Sequence, residues 1–157
     1  MFAIFRSQQT CGVPHLTSPD DRRLTQLLSA AARGWRIAIT TTTALQRSLG
    51  RDPVKMPHNN KGFDIDSRNH HGRILTIEVK GRVTGARDFS ITRSEIICAL
   101  NKADRHILAL VEVADDDTTS VRYLYDPFTN REPEPSPAEH KRTLDWKTYW
   151  ELGGAPS

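Results

Sequence analysis

Two acids and a lysine are the residues whose types and spacing best suit chemistry: Asp64, inside Gly62-Phe63-Asp64-Ile65-Asp66-Ser67, and Glu78 with Lys80, inside Ile77-Glu78-Val79-Lys80-Gly81. Read as two strands, the first segment puts Phe63 and Ile65 on one side and Asp64 and Asp66 on the other. The second opposes Leu75, Ile77 and Val79 to Glu78 and Lys80. The short polar link Arg68-Asn69-His70-His71-Gly72 predicts an antiparallel hairpin, which sets Asp64 across from Glu78 and Lys80. Hydrolysis of a phosphodiester near neutral pH needs a divalent metal to neutralise the phosphate and acidify a water. Mg²⁺, or Mn²⁺ in its place, is commonly held by one or two carboxylates. Asp64 and Glu78 are the candidate metal ligands, with the Val79 carbonyl as a third donor. Lys80 is the candidate catalytic cation.

A plain alternative is an edge hairpin whose charged face is merely solvated. Three details weigh against it: Ile74 to Val79 is very apolar for a free edge, Gly81 follows Lys80 where close backbone approach is useful, and Arg82, Arg87 and Arg93 follow as candidate phosphate contacts. Asp66 shares the face of Asp64 and reads either as a second ligand or, more simply, as a cap on the turn. Glu95 completes a capping box with Thr92 and needs no further role, although that helix start would also be placed to hold Lys80 or a metal-bound water. His70 and His71 fall at a hairpin tip and read as solvated, and Cys98 sits among apolar helix positions and reads as core. Asp115 to Asp117 lack the Gly and distal Glu of a calcium loop and read as a polar turn.

The positioning elements follow from local signals. Ser18-Pro19-Asp20-Asp21, then Leu24, Leu27 and Leu28, closed by Gly34, predicts a helix over about 19–33. Trp35 to Thr43 is β-branched and compact and predicts a strand, and Arg47 to Lys61 reads as a loop. A second helix is expected from the Thr92-Arg93-Ser94-Glu95 capping box to about Ala103. Strands follow over His106 to Ala114 and Val121 to Tyr125. Asn130 to His140 carries several prolines without apolar periodicity and reads as a tether; Asp145 to Trp150 reads as a short docking helix. The order predicts an α/β domain with a central mixed sheet over residues 1–130, followed by a tether and helix over 131–157.

A chain of 157 residues with 37% apolar content supports one core. The net charge of +3 leans toward an anionic partner, but 19 acids against 22 bases make this weak evidence. Cys11 and Cys98 stand far apart without a second Cys/His pair, so neither a disulfide framework nor a structural zinc site is indicated, and a reducing cytoplasm is the expected location. The longest apolar run, Ile107 to Val111, falls far short of the roughly 20 residues of a membrane span, so no membrane partner is expected.

Gly-Phe-Asp-Ile at 62–65, Ser67, Gly72, Ile-Glu-Val-Lys-Gly at 77–81, Phe89-Ser90-Ile91-Thr92 with Glu95 and Ala99, and Asp126-Pro127-Phe128 together resemble the domain at the C-terminus of the plant protein NO VEIN. That family looks like a branch of the PD-(D/E)XK nuclease superfamily, which implies a restriction-endonuclease-like core. It occurs in bacterial helicases and restriction-type defence proteins. The resemblance spans about 60–130. It assigns the superfamily's acid to Asp64, its E-x-K pair to Glu78 and Lys80, and an auxiliary helix position to Glu95. The first helix departs from the pattern, offering Arg22, Gln26 and Ser29 where such nucleases often carry a Glu.

The combined expectation is a Mg²⁺-dependent nuclease domain acting on DNA in restriction, defence or repair, with Arg82, Arg87 and Arg93 on the nucleic acid. A helicase or methyltransferase is the expected partner, and a homodimer is compatible with the resemblance. The alternative is a non-catalytic nucleic-acid-binding or protein-interaction module that keeps the fold.

Overall fold

A computed structural model of the chain describes residues 19–157. Its centre is a five-stranded sheet with the order β1-β2-β3-β5-β6, formed by β1 (Asp52–Lys55), β2 (Ile65–Arg68), β3 (Ile74–Val83), β5 (His106–Val113) and β6 (Thr119–Tyr125). β1, β2 and β3 pair antiparallel, β3 and β5 parallel, and β5 and β6 antiparallel, so the sheet is mixed. The parallel step is made by β4 (Asp88–Thr92), α2 (Arg93–Lys102) and a single 3₁₀ turn, which carry the chain from the end of β3 to the start of β5.

The first helix is the main departure from expectation. α1 runs from Pro19 to Ser48, straight through Gly34 and through the segment read as a strand, Trp35 to Thr43. Gly34, Ala38, Thr42 and Gln46 are buried, one per helical turn, and lie against the sheet. Gly34 therefore belongs to the packed face of the helix and does not end it. The close approach of helix and sheet is set by the glycine of β3: a Cβ on Gly81 would come 2.7 Å from Ala38 Cβ and 3.0 Å from the Gly34 carbonyl, whereas a Cβ on Gly34 would meet nothing within 4 Å. Thr43 bonds its hydroxyl back to the Ile39 carbonyl at 2.7 Å, whereas the buried Thr42 hydroxyl has no hydrogen-bond partner among the described residues. Ser18, read as the N-cap, lies outside the described residues, as does Cys11.

The supposed loop Arg47 to Lys61 holds the end of α1 and the edge strand β1. Pro53 is tolerated in β1 because an edge strand leaves one side of its ladder unpaired. The hairpin between β2 and β3 closes as expected, with Gly72 at φ +77°. The residue capping it is Asn69, whose Oδ1 accepts from the His71 and Arg73 amides; Asp66 is not the cap. The capping box at α2 is complete.

Alternation along the strands sorts side chains into two cores. Ile65, Ile77, Val79, Ile107, Ala109, Val111 and Tyr123 pack under α1. Leu108, Leu110 and Leu124 meet Ile96 and Ala99 of α2 on the opposite face.

The segment read as a tether contributes to that second core. β7 (Lys141–Asp145) pairs antiparallel with β4, and α3 (Trp146–Leu152) buries Trp146 and Tyr149 beside Phe89. Asp145 caps α3 by accepting the Thr148 amide at 2.7 Å. The proline-bearing stretch before β7 forms turns without helix or strand and is fastened by Arg142, which pairs with Glu139 and Glu132. Among the described residues, no helix is long and apolar enough to cross a membrane.

Candidate functional site

Asp64 lies just ahead of β2, and its backbone is held from both sides: its N–H donates to the Ile77 carbonyl at 2.9 Å and its carbonyl accepts the Met56 N–H at 2.8 Å. Its Oδ2 accepts the Val79 N–H at 2.9 Å. Because a strand residue sends its N–H and C=O toward the same edge, the Val79 carbonyl shares the edge on which Asp64 sits. Two residues earlier, Gly62 adopts φ +124°, and a Cβ there would lie 2.8 Å from Cys98 Cβ of α2. The glycine thus lets α2 press onto the approach to Asp64. The glycine after the lysine does the same for α1, through Ala38.

Glu78 and Lys80 point from β3 toward α2. Lys80 Nζ lies 2.6 Å from Glu78 Oε1 and 2.7 Å from Glu95 Oε2, with all three side chains largely shielded from solvent. Glu95 performs both roles considered for it: the same Oε2 accepts the Thr92 N–H at 3.0 Å to complete the cap and holds the lysine.

Electrostatics follow from this crowding. Burial raises the Asp64 carboxyl above its ordinary pKa, against the Val79 hydrogen bond and the Lys80 charge. Burial raises Glu78 well above its ordinary range; Lys80 opposes this, and Asp64 and Glu95 add to it. Burial also disfavours the Lys80 ammonium, but Glu78 and then Glu95 overcome that effect, so its pKa ends above the ordinary value. Lys80 is accordingly a fixed cation between two acids.

These groups open into a cleft of about 440 Å³. Asp64, Glu78, Val79, Lys80 and Glu95 line it, together with Gly81, Arg82, Phe89 and Ser90. Three further lining residues, Trp35, His58 and Asn60, escaped the sequence reading. Trp35 arrives only because α1 continues past Gly34, which the apolar spacing Trp35, Ala38, Ile39, Leu45 and Leu49 would have signalled. Asn60 Nδ2 donates to the Phe63 carbonyl at 2.7 Å, fixing the loop before Asp64.

Other candidates fall elsewhere. Asp66 sits within β2 and lines a second cleft with Phe63, Ile74, Thr76, Lys102 and Arg105. Phe63 therefore does not join Ile65 under α1; the ammonium of Lys102 lies 4.3 Å from its ring centre. Arg82 reaches the main cleft and stands 3.5 Å from Asp88. Arg87 is exposed, and Arg93 Nε is tied to the Ser136 carbonyl. His70 and His71 are exposed at the hairpin tip. Cys98 is half-buried, Asp116 caps its own turn through Thr118, and no group of three or more His, Cys, Asp or Glu placed to hold a metal occurs among the described residues.

The architecture defines the class first. The fold matches a solved Holliday junction resolvase, Hjc of the archaeal hyperthermophile Archaeoglobus fulgidus, with a TM-score of 0.50 over 77% of this chain and 89% of that chain, at 15% sequence identity. The core is therefore the restriction-endonuclease-like, nuclease-like fold. The family described as "Protein NO VEIN, C-terminal" matches residues 34–124, and the chain belongs to it. That match begins within α1, upstream of the motif-bearing stretch. A search of curated proteins gives no match.

Proposed function

We propose that the cleft hydrolyses phosphodiester bonds of nucleic acid, with DNA as substrate, in a restriction, defence or repair setting. The observation that carries this reading is the lysine held between Glu78 and Glu95 in the cleft that also contains Asp64. The related fold is that of a Holliday junction resolvase, which supports DNA as the substrate class.

The donor set suits Mg²⁺, with Mn²⁺ as a substitute. Asp64 and Glu78 are carboxylates that burial and neighbouring acids disfavour, Glu95 for Asp64 and both Asp64 and Glu95 for Glu78, a situation a divalent cation relieves, and all the donors are hard oxygens. Asp64, Glu78 and the Val79 carbonyl are the residues that would hold it; when bound it supplies charge neutralisation at the phosphate and an acidified water. The chain's own residues do the rest. Lys80, kept charged by its two acids, stabilises negative charge developing on the phosphate and does not act as a base. Glu95 positions Lys80. Arg82 contacts a phosphate at the cleft wall, with Arg87 and Arg93 as outer contacts. A cytoplasmic location, a helicase or methyltransferase partner and a homodimer belong to the same reading.

The ammonium of Lys80, 2.6 Å from Glu78 Oε1 and so occupying one of the two candidate ligand carboxylates, favours a second reading, a non-catalytic nucleic-acid-binding or protein-interaction module. Calorimetric titration with Mn²⁺ separates the two. Hydrolysis predicts saturable binding that Asp64→Asn and Glu78→Gln each abolish in folded protein. Heats indistinguishable between the wild type and both variants support the module.

A further inference from the structure

Trp35 stands on the cleft wall for a reason the acids and Lys80 do not supply. His58 meets its ring edge-on, with centroids 6.3 Å apart at 78°. Lys55 Nζ stands 4.8 Å from the ring centre. The indole packs in part against the core under α1 and carries the Lys55 ammonium over its face, while the rest of the ring lines the cleft that holds Asp64 and Glu78.

Lys55 links this wall to a second feature. Between α1 and β1 runs a groove of about 440 Å³ whose charged lining residues are Arg36, Arg47 and Lys55, with threonines and short apolar residues between them and no acid. Neither Arg36 nor Arg47 is in an ion pair among the described residues. The Lys55 charge also acts on Asp64, which places the groove within electrostatic reach of the cleft. An aromatic platform beside an acid-free basic track is the combination that binds single-stranded nucleic acid: a base stacks on the ring while cations follow the backbone. A base within a duplex has no free face to offer.

We infer that Trp35 and the groove of Arg36, Arg47 and Lys55 seat an unpaired segment of nucleic acid, its backbone running between α1 and β1. A base stacks on the indole face that Lys55 covers, the ammonium moving to the adjoining phosphate. The substrate class is therefore single-stranded or locally unpaired nucleic acid. The inference rests on the cleft being a nucleic-acid site and is independent of turnover there.

The test is fluorescence anisotropy with a labelled oligothymidylate of about a dozen nucleotides, the same oligonucleotide carrying abasic sites, and a matched duplex, all in EDTA so that binding is read without cleavage. Trp35→Ala is expected to weaken binding of the oligothymidylate by between about 5- and 150-fold and to leave duplex binding unchanged, while Trp35→Phe retains most of the affinity. Abasic sites are expected to weaken binding to the wild type, a comparison that needs no variant, and to add nothing in Trp35→Ala. The double variant Arg36→Glu, Arg47→Glu should bind weakly and with a shallower salt dependence. Equal binding of intact and abasic oligonucleotides by the wild type, or absence of any binding at low salt, overturns the inference. An intact base effect with no cleavage under Mg²⁺ removes the hydrolytic reading alone; cleavage without a base effect removes the inference alone.

Discussion

Glu95 Oε2 makes two contacts at once, 2.7 Å from Lys80 Nζ and 3.0 Å from the Thr92 backbone nitrogen. One carboxylate oxygen therefore ties the start of α2 to the functional face of β3. The capping box and the lysine clamp are a single structure.

Glutamine in this place keeps the cap but loses the charge, because either side chain accepts the N-cap amide. Glu95→Gln is expected to cost under about 1 kcal/mol in urea unfolding, and Glu95→Ala about 1–2 kcal/mol, since it also loses the cap. Equal losses in the two variants would show that the cap contributes nothing.

The approach of α1 to β3 is set by Gly81 and Ala38. Gly81→Ala brings a methyl group to within 2.7 Å of Ala38 Cβ and is expected to destabilise by about 1–3 kcal/mol. Ala38→Gly should destabilise on its own and partly rescue Gly81→Ala, so that the double variant loses at least about 1 kcal/mol less than the sum of the two single losses. Strict additivity in denaturant unfolding would contradict this packing.

His106 is fully buried, with Nδ1 3.0 Å from Thr76 Oγ1 and no partner at Nε2 among the described residues. Burial, then the Lys102 charge, lowers its pKa from 6.5 to about 4. The unfolded chain takes up this proton first as pH falls, so the contribution is complete above the unfolded pKa and is lost between about pH 6.5 and pH 4. Its size is about 3 kcal/mol. Asp64 and Glu78, whose pKa values are raised, shift stability the opposite way on acidification, but they do so in any variant. His106→Asn should therefore lose less stability than the wild type between pH 7 and pH 4, by about 3 kcal/mol. Matching pH profiles for the two proteins would contradict the assignment.

Where side-chain alternation decides structure, the sequence was readable. Ile65, Ile77 and Val79 turn to one core while Asp64, Glu78 and Lys80 share the other side, and Thr92 with Glu95 announces α2. The reading failed where tertiary packing overrode local preference. Ile37, Ile39 and the threonines of 40–43 have β propensity, and the helical stripe that packs on the sheet, Trp35, Ala38, Ile39, Leu45 and Leu49, is interrupted by the buried polar Thr42 and Gln46, which masks its period. β1 is a four-residue edge strand containing proline. Trp35 and His58 reach the cleft only through the course of α1 and the loop after β1. β7 was hidden because its partner, β4, lies 49 to 57 residues earlier in the chain, from Thr92↔Lys141 to Asp88↔Asp145.

The central claim, a hydrolytic centre built on Asp64, Glu78 and Lys80, is tested most directly by incubating single- and double-stranded DNA and RNA with Mg²⁺ or Mn²⁺, comparing the wild type with Asp64→Ala purified identically. The account predicts metal-dependent cleavage by the wild type that disappears in Asp64→Ala while nucleic-acid binding persists. The same cleavage in both proteins, or none in either, would contradict it.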